Sequence, residues 1–237
     1  MHIPDGYLGP ITYGSLWGGI IPVWIYASKK IKEIFKASHV PLLALSSAFS
    51  FVIMMFNVPI PGGTTGHATG ATLIAILIGP WAATLALSIS LIIQAFLFGD
   101  GGITAIGANC FNIAFAGAIG GYGIYRLISG ARGKGQGVKT ELRTPNSELR
   151  TRQLIGAGIG AYVSINFAAL FAAIELGIQP ILHTGLDGRP LYSPFPLSIT
   201  IPSIMIGNLL IFGIIEAIVT ILVLIYLRKS HPELIRG

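Results

Sequence analysis

The first two residues, Met1 and His2, could together form a metal-binding chelate. A free terminal amine, the backbone nitrogen of His2 and its imidazole Nδ1 close a five-membered and then a six-membered ring around one ion. Binding displaces the amide proton, which suits square-planar Ni(II) or Cu(II). Three coplanar nitrogens leave one corner free, so the site needs a further nitrogen. A histidine at position 2 is more commonly an exposed terminal residue, and the chelate therefore depends on a partner in space.

This chelate requires an unblocked amine on Met1. Residues 1–10 contain no Lys or Arg, which argues against a signal peptide. Methionine aminopeptidase removes Met only before a small residue, and residue 2 is histidine. We therefore expect the mature chain to begin at Met1 with a free amine.

The segment 57–67 could supply the missing nitrogen. It reads Asn-Val-Pro-Ile-Pro-Gly-Gly-Thr-Thr-Gly-His and ends at His67. Its prolines and glycines predict a shaped, non-helical backbone, which membrane proteins tolerate where protein buries it or where it lines a cavity. A lone histidine before a helix is more often a cap or a hydrogen-bond partner. His67 is nevertheless the candidate for the fourth nitrogen.

The composition indicates an integral membrane protein. Of the 237 residues 53% are hydrophobic and only 10% are charged, and the mean hydropathy is +0.76. In soluble domains about a quarter of the residues are charged. A soluble chain of this length could not bury so much apolar side chain, so the bilayer is the expected solvent.

The placement of positive charge predicts the number of spans. The apolar stretch 68–98 is too long for one comfortable span and is interrupted at Gly79-Pro80, so it forms either one tilted helix or two short ones. With two helices, fourteen of the fifteen Lys and Arg residues share one side, and only Arg189 lies opposite. The positive-inside rule makes the rich side cytoplasmic. We therefore predict an all-α protein of seven transmembrane helices, with its amino terminus outside and its carboxyl terminus in the cytoplasm. The predicted spans lie near residues 10–28, 40–56, 66–79, 81–98, 103–128, 154–176 and 201–227.

The linker 129–153 is rich in Gly, Lys, Arg, Thr and Ser. This composition predicts a flexible cytoplasmic loop without a packed core. Neither the linker nor the rest of the chain contains the Gly-x4-Gly-Lys-Ser/Thr sequence, which excludes ATP binding through a P-loop of its own. We predict a single membrane domain, 1–237.

Few other residues could carry chemistry. Glu175 lies near the outer end of its span, and Glu216 lies deeper and has no predicted role. Asp100, in a Gly-Asp-Gly-Gly run, is predicted to serve a tight turn. His183 is predicted to lie outside and remains an alternative ligand. The single cysteine, Cys110, is predicted to be a small buried helix residue.

Three segments resemble a known family: residues 1–8 (Met-His-Ile-Pro-Asp-Gly-Tyr-Leu), the strip 57–67 and residues 107–112 (Gly-Ala-Asn-Cys-Phe-Asn). They are similar to the CbiM/NikM proteins, the substrate-specific components of energy-coupling factor (ECF) transporters for cobalt and nickel. The resemblance implies a six-helix substrate-binding fold with one extra amino-terminal helix. It also implies that the metal ligands are Met1, His2 and His67. Within the same three segments, the candidates to support these ligands are Asp5, Thr65 and Asn109.

The resemblance further implies partners. Family members work in the cell membrane with a transmembrane coupling component, cytoplasmic ATPases and, in many cases, a small accessory membrane subunit. A small-residue pair on the second span, Ala44 and Ala48, is the candidate contact with the coupling component. No nucleic acid and no organic cofactor are expected.

We therefore expect a non-enzymatic component that captures Ni(II) or Co(II) outside the cell for ATP-driven uptake, with the amide chelate favouring nickel. The alternative is a metal-ion channel or secondary transporter, which needs a row of intramembrane carboxylates or histidines. Only Glu175 and Glu216 are available for such a row. A membrane enzyme using the metal as a Lewis acid would need an open coordination position and a nearby acid–base group.

Overall fold

The chain folds into helices joined by short connections. The computed structural model describes residues 1–130 and 147–230, with the backbone alone at 147–150. Two short strands, β1 (Val58–Ile60) and β2 (Thr64–Gly66), pair antiparallel. Within the described ranges, seven helices are longer than one turn: α1 (Pro10–Ile34), α2 (Val40–Met54), α3 (Ala71–Ile78), α4 (Pro80–Phe98), α5 (106–129), α6 (Ser147–Gly177) and α7 (Leu197–Ser230).

Four helical stretches of the described chain are long and apolar enough to cross a membrane. The predicted helical class is confirmed, with the small β1–β2 hairpin as an addition. The count of seven crossings and the orientation of the termini stay predictions. The four stretches are Ala37–Met54, Pro80–Phe98, Thr151–Leu182 and Leu197–Ser230.

The chain breaks between α3 and α4 where the sequence predicted. Gly79 has a φ of 88°, which a residue with a side chain rarely adopts, and it ends α3. Pro80 follows as the first residue of α4, where its missing N–H costs nothing. Two helices therefore replace one long one.

The helix of this third predicted span begins later than the span itself. The span was predicted from residue 66, but α3 begins at Ala71, because Thr64–Gly66 forms β2 and Gly70 has a positive φ of 71°. Eight residues make a helix about 12 Å long, which is much shorter than the about 30 Å of a hydrocarbon core. The non-helical residues 67–70 therefore add to the distance that this part of the chain covers.

The predicted loop 129–153 was also wrong at its end. Helix α5 continues through Ser129, and α6 already begins at Ser147, so residues 147–153 are helical. Apart from Leu149 these residues are charged or polar, which lowers the mean hydropathy of the segment, but Glu, Leu, Arg and Gln are good helix formers. Residues 131–146 of the predicted loop lie outside the described residues.

Glycines let α5 and α6 approach closely. A Cβ atom on Gly160 would lie 2.5 Å from the carbonyl oxygen of Gly121, and one on Gly121 would lie 2.8 Å from that of Gly160. Helices in lipid associate through such small residues, since apolar burial alone gives little preference for protein over lipid. This close packing holds α5 directly against α6.

Candidate metal centre

The amino-terminal segment is threaded into the protein. Met1, His2 and Ile3 are all buried, with exposed fractions of 0%, 2% and 0%. The backbone N–H of Ile3 donates to Asn109 Oδ1 at 2.9 Å, and Asn109 Nδ2 donates back to the Ile3 carbonyl at 3.2 Å. The N–H of Gly102 donates to the same carbonyl at 2.8 Å. Asn109, on α5, thus holds the segment by its backbone.

Asp5 fixes the next part of the segment. Its carboxylate accepts hydrogen bonds from the backbone N–H groups of Ile103 and Thr104, each at 2.9 Å, and from the Thr104 hydroxyl. Burial works to raise the pKa of Asp5, but these hydrogen bonds outweigh it, and the pKa lies below its usual value. A Cβ atom on Gly102 would lie 2.3 Å from the Asp5 nitrogen, so only glycine fits there.

The β1–β2 hairpin closes over the terminus from the other side. The Met1 amine donates to the carbonyl oxygen of Thr65 and lies 3.2 Å from Thr65 Oγ1. The Thr64 hydroxyl donates to the His2 carbonyl at 2.8 Å. The strip that ends in His67 therefore also holds Met1 and His2.

The rings of His2 and His67 face each other. Their centroids are 4.6 Å apart, with an interplanar angle of 32°. His67 Nδ1 donates to the Ala68 carbonyl at 3.1 Å, and His2 Nδ1 donates to Asp100 Oδ1 at 2.9 Å, because neither oxygen can donate. Each Nε2 atom therefore carries a lone pair, and each is buried with no hydrogen-bond partner among the described residues.

Burial keeps the donor nitrogens neutral. It lowers the pKa of the Met1 amine to about 4, although the Asp100 carboxylate works in the opposite direction. It also lowers the pKa of His2, against the opposing hydrogen bond to Asp100. At pH 7 both groups hold a lone pair that a metal ion can accept. Burial works to raise the pKa of Asp100, but its interactions with His2, the amino terminus and Asn57 together outweigh burial and lower the pKa, so this carboxylate is ionised.

The arrangement differs in one atom from the predicted chelate. The predicted ligand atom of His2 is Nδ1, which here is bound to Asp100. A buried ring N–H needs an acceptor, and Asp100 supplies it. Among the described residues, no group of three or more His, Cys, Asp and Glu side chains is placed to hold a metal. A centre at this position must therefore use the amine or backbone nitrogens as well.

A groove connects His2 with the surface. Its volume is about 390 Å³, and it is bounded by the amino-terminal segment, the hairpin and the turn at Gly99–Gly101. Among its lining residues Asp100 is the one carboxylate, and its side chain is 17% exposed. A cation approaching along the groove meets this negative charge beside His2.

The family described as "Cobalt uptake substrate-specific transmembrane region", CbiM, matches residues 2–234. The chain belongs to the CbiM family. Together with its long apolar helices, this makes it a multi-pass membrane protein. The family predicted from the three short segments is confirmed.

Its relatives include single-unit and fused proteins. The fused nickel transport protein NikMN of Rhodobacter capsulatus is 46% identical over 99% of this chain and 64% of that protein. The probable fused nickel transport protein LarMN of Lactiplantibacillus plantarum is 47% identical over 98% of this chain and 66% of that protein. This chain therefore spans less than two thirds of either fused protein. A putative metal transport protein of Methanocaldococcus jannaschii is 43% identical and is covered over 94% of its length.

The fold of this CbiM chain matches a solved structure over almost its whole length. The crystal structure of a truncated transition metal transporter has a TM-score of 0.87 and 48% identity, covering 98% of this chain and 100% of the other. At this identity the likeness extends to the sequence as well as to the helix arrangement.

Sequence reasoning missed the main contact of Asp100 in this CbiM protein. Gly99 and Gly101, with φ values of 64° and 90°, make the turn. The Asp100 side chain instead accepts from His2 and, at 2.8 Å, from Asn57 Nδ2. A carboxylate between two flexible glycines was a signal for such a role, but the sequence could not show that His2 lies beside it.

The remaining predicted residues lie elsewhere. His183 packs over Gly9, where an added Cβ atom would lie 2.4 Å from its Cε1, and its ring contacts Tyr192. It is therefore not grouped with the other two histidines. Ala44 and Ala48 are exposed on α2, which leaves them accessible to a partner in the membrane.

Proposed function

We propose that this CbiM protein captures Ni(II) or Co(II) outside the cell and acts as the substrate-binding component of an ECF transporter. The observation that carries the proposal is the enclosure of the Met1 amine, His2 and His67 in one buried place, with neutral nitrogens and unpartnered Nε2 atoms. Buried polar atoms normally have partners, and these lack one among the described residues. A metal ion would supply the partner of His67 Nε2, and the other ring of the pair, His2, lies close enough to bind the same ion.

The proposed bound state needs a local rearrangement. The Met1 amine leaves Thr65, and the His2 amide loses its proton. Rotation of the His2 ring frees Nδ1 from Asp100, and the Nδ1 proton moves to Nε2, so that Nδ1 gains the lone pair. These three nitrogens and a nitrogen of His67 then surround the ion in a plane. A four-nitrogen plane favours Ni(II) over Co(II), and the affinity order of divalent metals agrees.

The relatives support the choice of cargo and partners. Two of them are named fused nickel transport proteins, and this chain spans only part of each. We propose that the function needs further subunits: a transmembrane coupling component, cytoplasmic ATPases and a small accessory membrane subunit. The absence of a P-loop from the sequence agrees with separate ATPases. The exposed pair Ala44 and Ala48 remains our candidate contact with the coupling component.

A metal-ion channel or secondary transporter is the weaker alternative. Such a protein needs polar side chains along a path through the membrane. Glu175 accepts from Asn112 Nδ2 at 2.8 Å, and Glu216 accepts from Thr69 and Gly70. Both carboxylates therefore serve contacts between parts of the fold, which favours the binding component.

We propose seven crossings, with the metal centre outside and the carboxyl terminus in the cytoplasm. In a Cys110→Ala background, Ser38→Cys should react with a membrane-impermeant maleimide only from the cytoplasm, and Asp187→Cys only from outside. Both positions are exposed, and Ser38 lies on the lysine-rich side while Asp187 lies on the other. Labelling of whole cells and inverted vesicles measures this. Labelling of both positions from one side would refute the orientation.

The proposed metal centre has a spectroscopic test. Purified protein with an unmodified amino terminus and a carboxyl-terminal tag should bind Ni(II) in a yellow, diamagnetic, low-spin form. The dissociation constant should be lower for Ni(II) than for Co(II), and Cu(II) should compete, because planar nitrogen ligands favour these ions. Absorption spectra, magnetic susceptibility and competition titrations measure this. A high-spin octahedral spectrum or a clear preference for Co(II) would contradict the planar site.

A further inference from the structure

The residues around His67 lie in a stretch without regular structure. Strand β2 ends at Gly66 and α3 begins at Ala71, so the backbone N–H groups of residues 67–70 lie outside both elements. His67 and Thr69 are nevertheless buried. Buried backbone groups need partners from elsewhere in the protein. Those partners decide where the His67 ring lies.

One carboxylate on α7 supplies most of them. Glu216 Oε2 accepts from the backbone N–H of Thr69 at 2.6 Å. Glu216 Oε1 accepts from the Thr69 hydroxyl at 3.0 Å and from the N–H of Gly70 at 2.8 Å. Glu216 itself is 1% exposed, so water does not compete for these bonds. The first residue that Glu216 contacts, Thr69, lies two positions after His67.

The same face of α7 also packs against Gly66, the residue before His67. Phe212 lies one helical turn before Glu216, and the two share a face. Its ring covers Gly66 so closely that an added Cβ atom would lie 1.9 Å from Phe212 Cε2. A π-helical segment, Asn208–Phe212, precedes this face, and such irregular turns are frequent at functional sites. His67 is therefore held on both sides by α7.

Helix α2 completes the support. The Ser50 hydroxyl donates to the Thr69 carbonyl at 2.8 Å. The Phe49 ring lies against Gly70, where an added Cβ atom would lie 2.6 Å from Phe49 Cε1. The N–H, the carbonyl and the hydroxyl of Thr69 are thus all bound by side chains of two helices. The stretch has little freedom to move without them.

We propose that Glu216 is a positioning residue for His67, which sets the nitrogen of that ring at the fourth corner of the metal plane. This inference rests on the proposed function, because it assumes that His67 binds the metal. Residues that orient a ligand in this way typically change metal affinity by about 10–100-fold when they are substituted. A carboxylate that only capped α3 would affect stability but not the geometry of the ion.

The test compares two buried glutamates. In Glu216→Gln, one atom of the new amide is an NH2 group, which faces a backbone N–H of Thr69 or Gly70 in either orientation and cannot accept from it. In the control Glu175→Gln, the amide oxygen still accepts from Asn112. We expect Ni(II) affinity to fall about 10–100-fold in Glu216→Gln, with a weaker planar absorption band. Glu175→Gln should stay within about threefold of the parent protein.

The readouts separate positioning from stability. Thermal unfolding of the metal-free proteins reports the fold, while the Ni(II) spectrum and dissociation constant report the site. Parental affinity and spectrum in folded Glu216→Gln would overturn the inference, as would equal losses in both variants. If the parent protein binds no Ni(II), the proposed function fails and this inference fails with it.

A milder substitution covers the case in which Glu216→Gln does not fold. Thr69→Val keeps the branched shape and both backbone bonds to Glu216, and removes the two hydroxyl bonds, one to Glu216 and one from the N–H of Ala71. Ni(II) affinity should then fall roughly tenfold, the lower end of the range for supporting residues. An unchanged dissociation constant in folded Thr69→Val would overturn the inference.

Discussion

Two residues, Gly-Ser, added before Met1 should abolish tight Ni(II) binding while the helices remain folded. The extension turns the amine into an amide and forces the buried terminus out of its place against Thr65. Structural four-ligand Zn(II) sites bind with about 10–16 kcal/mol, which corresponds to about 3 kcal/mol for each ligand. Loss of the amine and of the amide chelate should weaken binding by at least about a thousandfold. Titration of purified protein measures this.

The matched control carries the same two residues at the carboxyl terminus and should bind as the parent does. Proteolytic removal of the extension that regenerates the Met1 amine should restore binding in the same sample. His2→Ala should also lose tight binding, since it removes the imidazole from the chelate. Parental affinity in the extended, folded protein would refute a role for the amine.

The neutral state of the amine explains why this terminus suits a metal ion. An exposed amine, with a pKa near 8, is mostly protonated at pH 7 and must lose its proton before it binds. Burial has lowered the pKa of the Met1 amine to about 4, so its lone pair is free throughout the neutral range. The free energy of that deprotonation is supplied by folding rather than by metal binding. Binding at pH 7 then displaces mainly the His2 amide proton.

The sequence predicts those parts of the site that depend on local chain geometry. The glycines and prolines of 57–67 predicted irregular backbone, and the structure has a tight hairpin there. Gly79-Pro80 predicted a break, which lies between α3 and α4. The chemistry of Met1 and His2 pointed to a chelate because its donor atoms are neighbours in the chain. In each case the decisive atoms are within a few residues of one another.

The contacts that organise the site join distant residues, and no local pattern reveals them. Asp100 meets His2 across 98 positions, and Glu216 meets Thr69 across 147. Glu216 was noticed as a charge in an apolar span and Asp100 as a turn residue, but their partners depend on how the helices pack. The start of α3 was predicted too early for a related reason. Thr64–Gly66 is extended because it pairs with Val58–Ile60, and pairing is a property of the hairpin as a whole.

Substitution of His67 should have the second-largest effect on metal binding. Its Nε2 atom is buried and has no hydrogen-bond partner in the part of the chain that the structure describes, and the ring has no exposed surface. His67→Ala removes one of four proposed ligands, so Ni(II) affinity should fall about a hundredfold or more. His183→Ala is the matched control, because that ring lies over Gly9 rather than beside His2. It should bind Ni(II) within about threefold of the parent protein.

Added imidazole gives this prediction a sharper form. His67→Ala leaves a space of the shape of an imidazole ring, with three nitrogens of the Met1–His2 chelate still facing it. Free imidazole at millimolar concentration should occupy the fourth corner and restore the yellow, low-spin Ni(II) spectrum. Imidazole should not restore the spectrum in His2→Ala, because loss of the His2 side chain leaves one chelate ring instead of two. Full affinity in His67→Ala without imidazole, or a loss of equal size in His183→Ala, would show that His67 does not complete the metal plane.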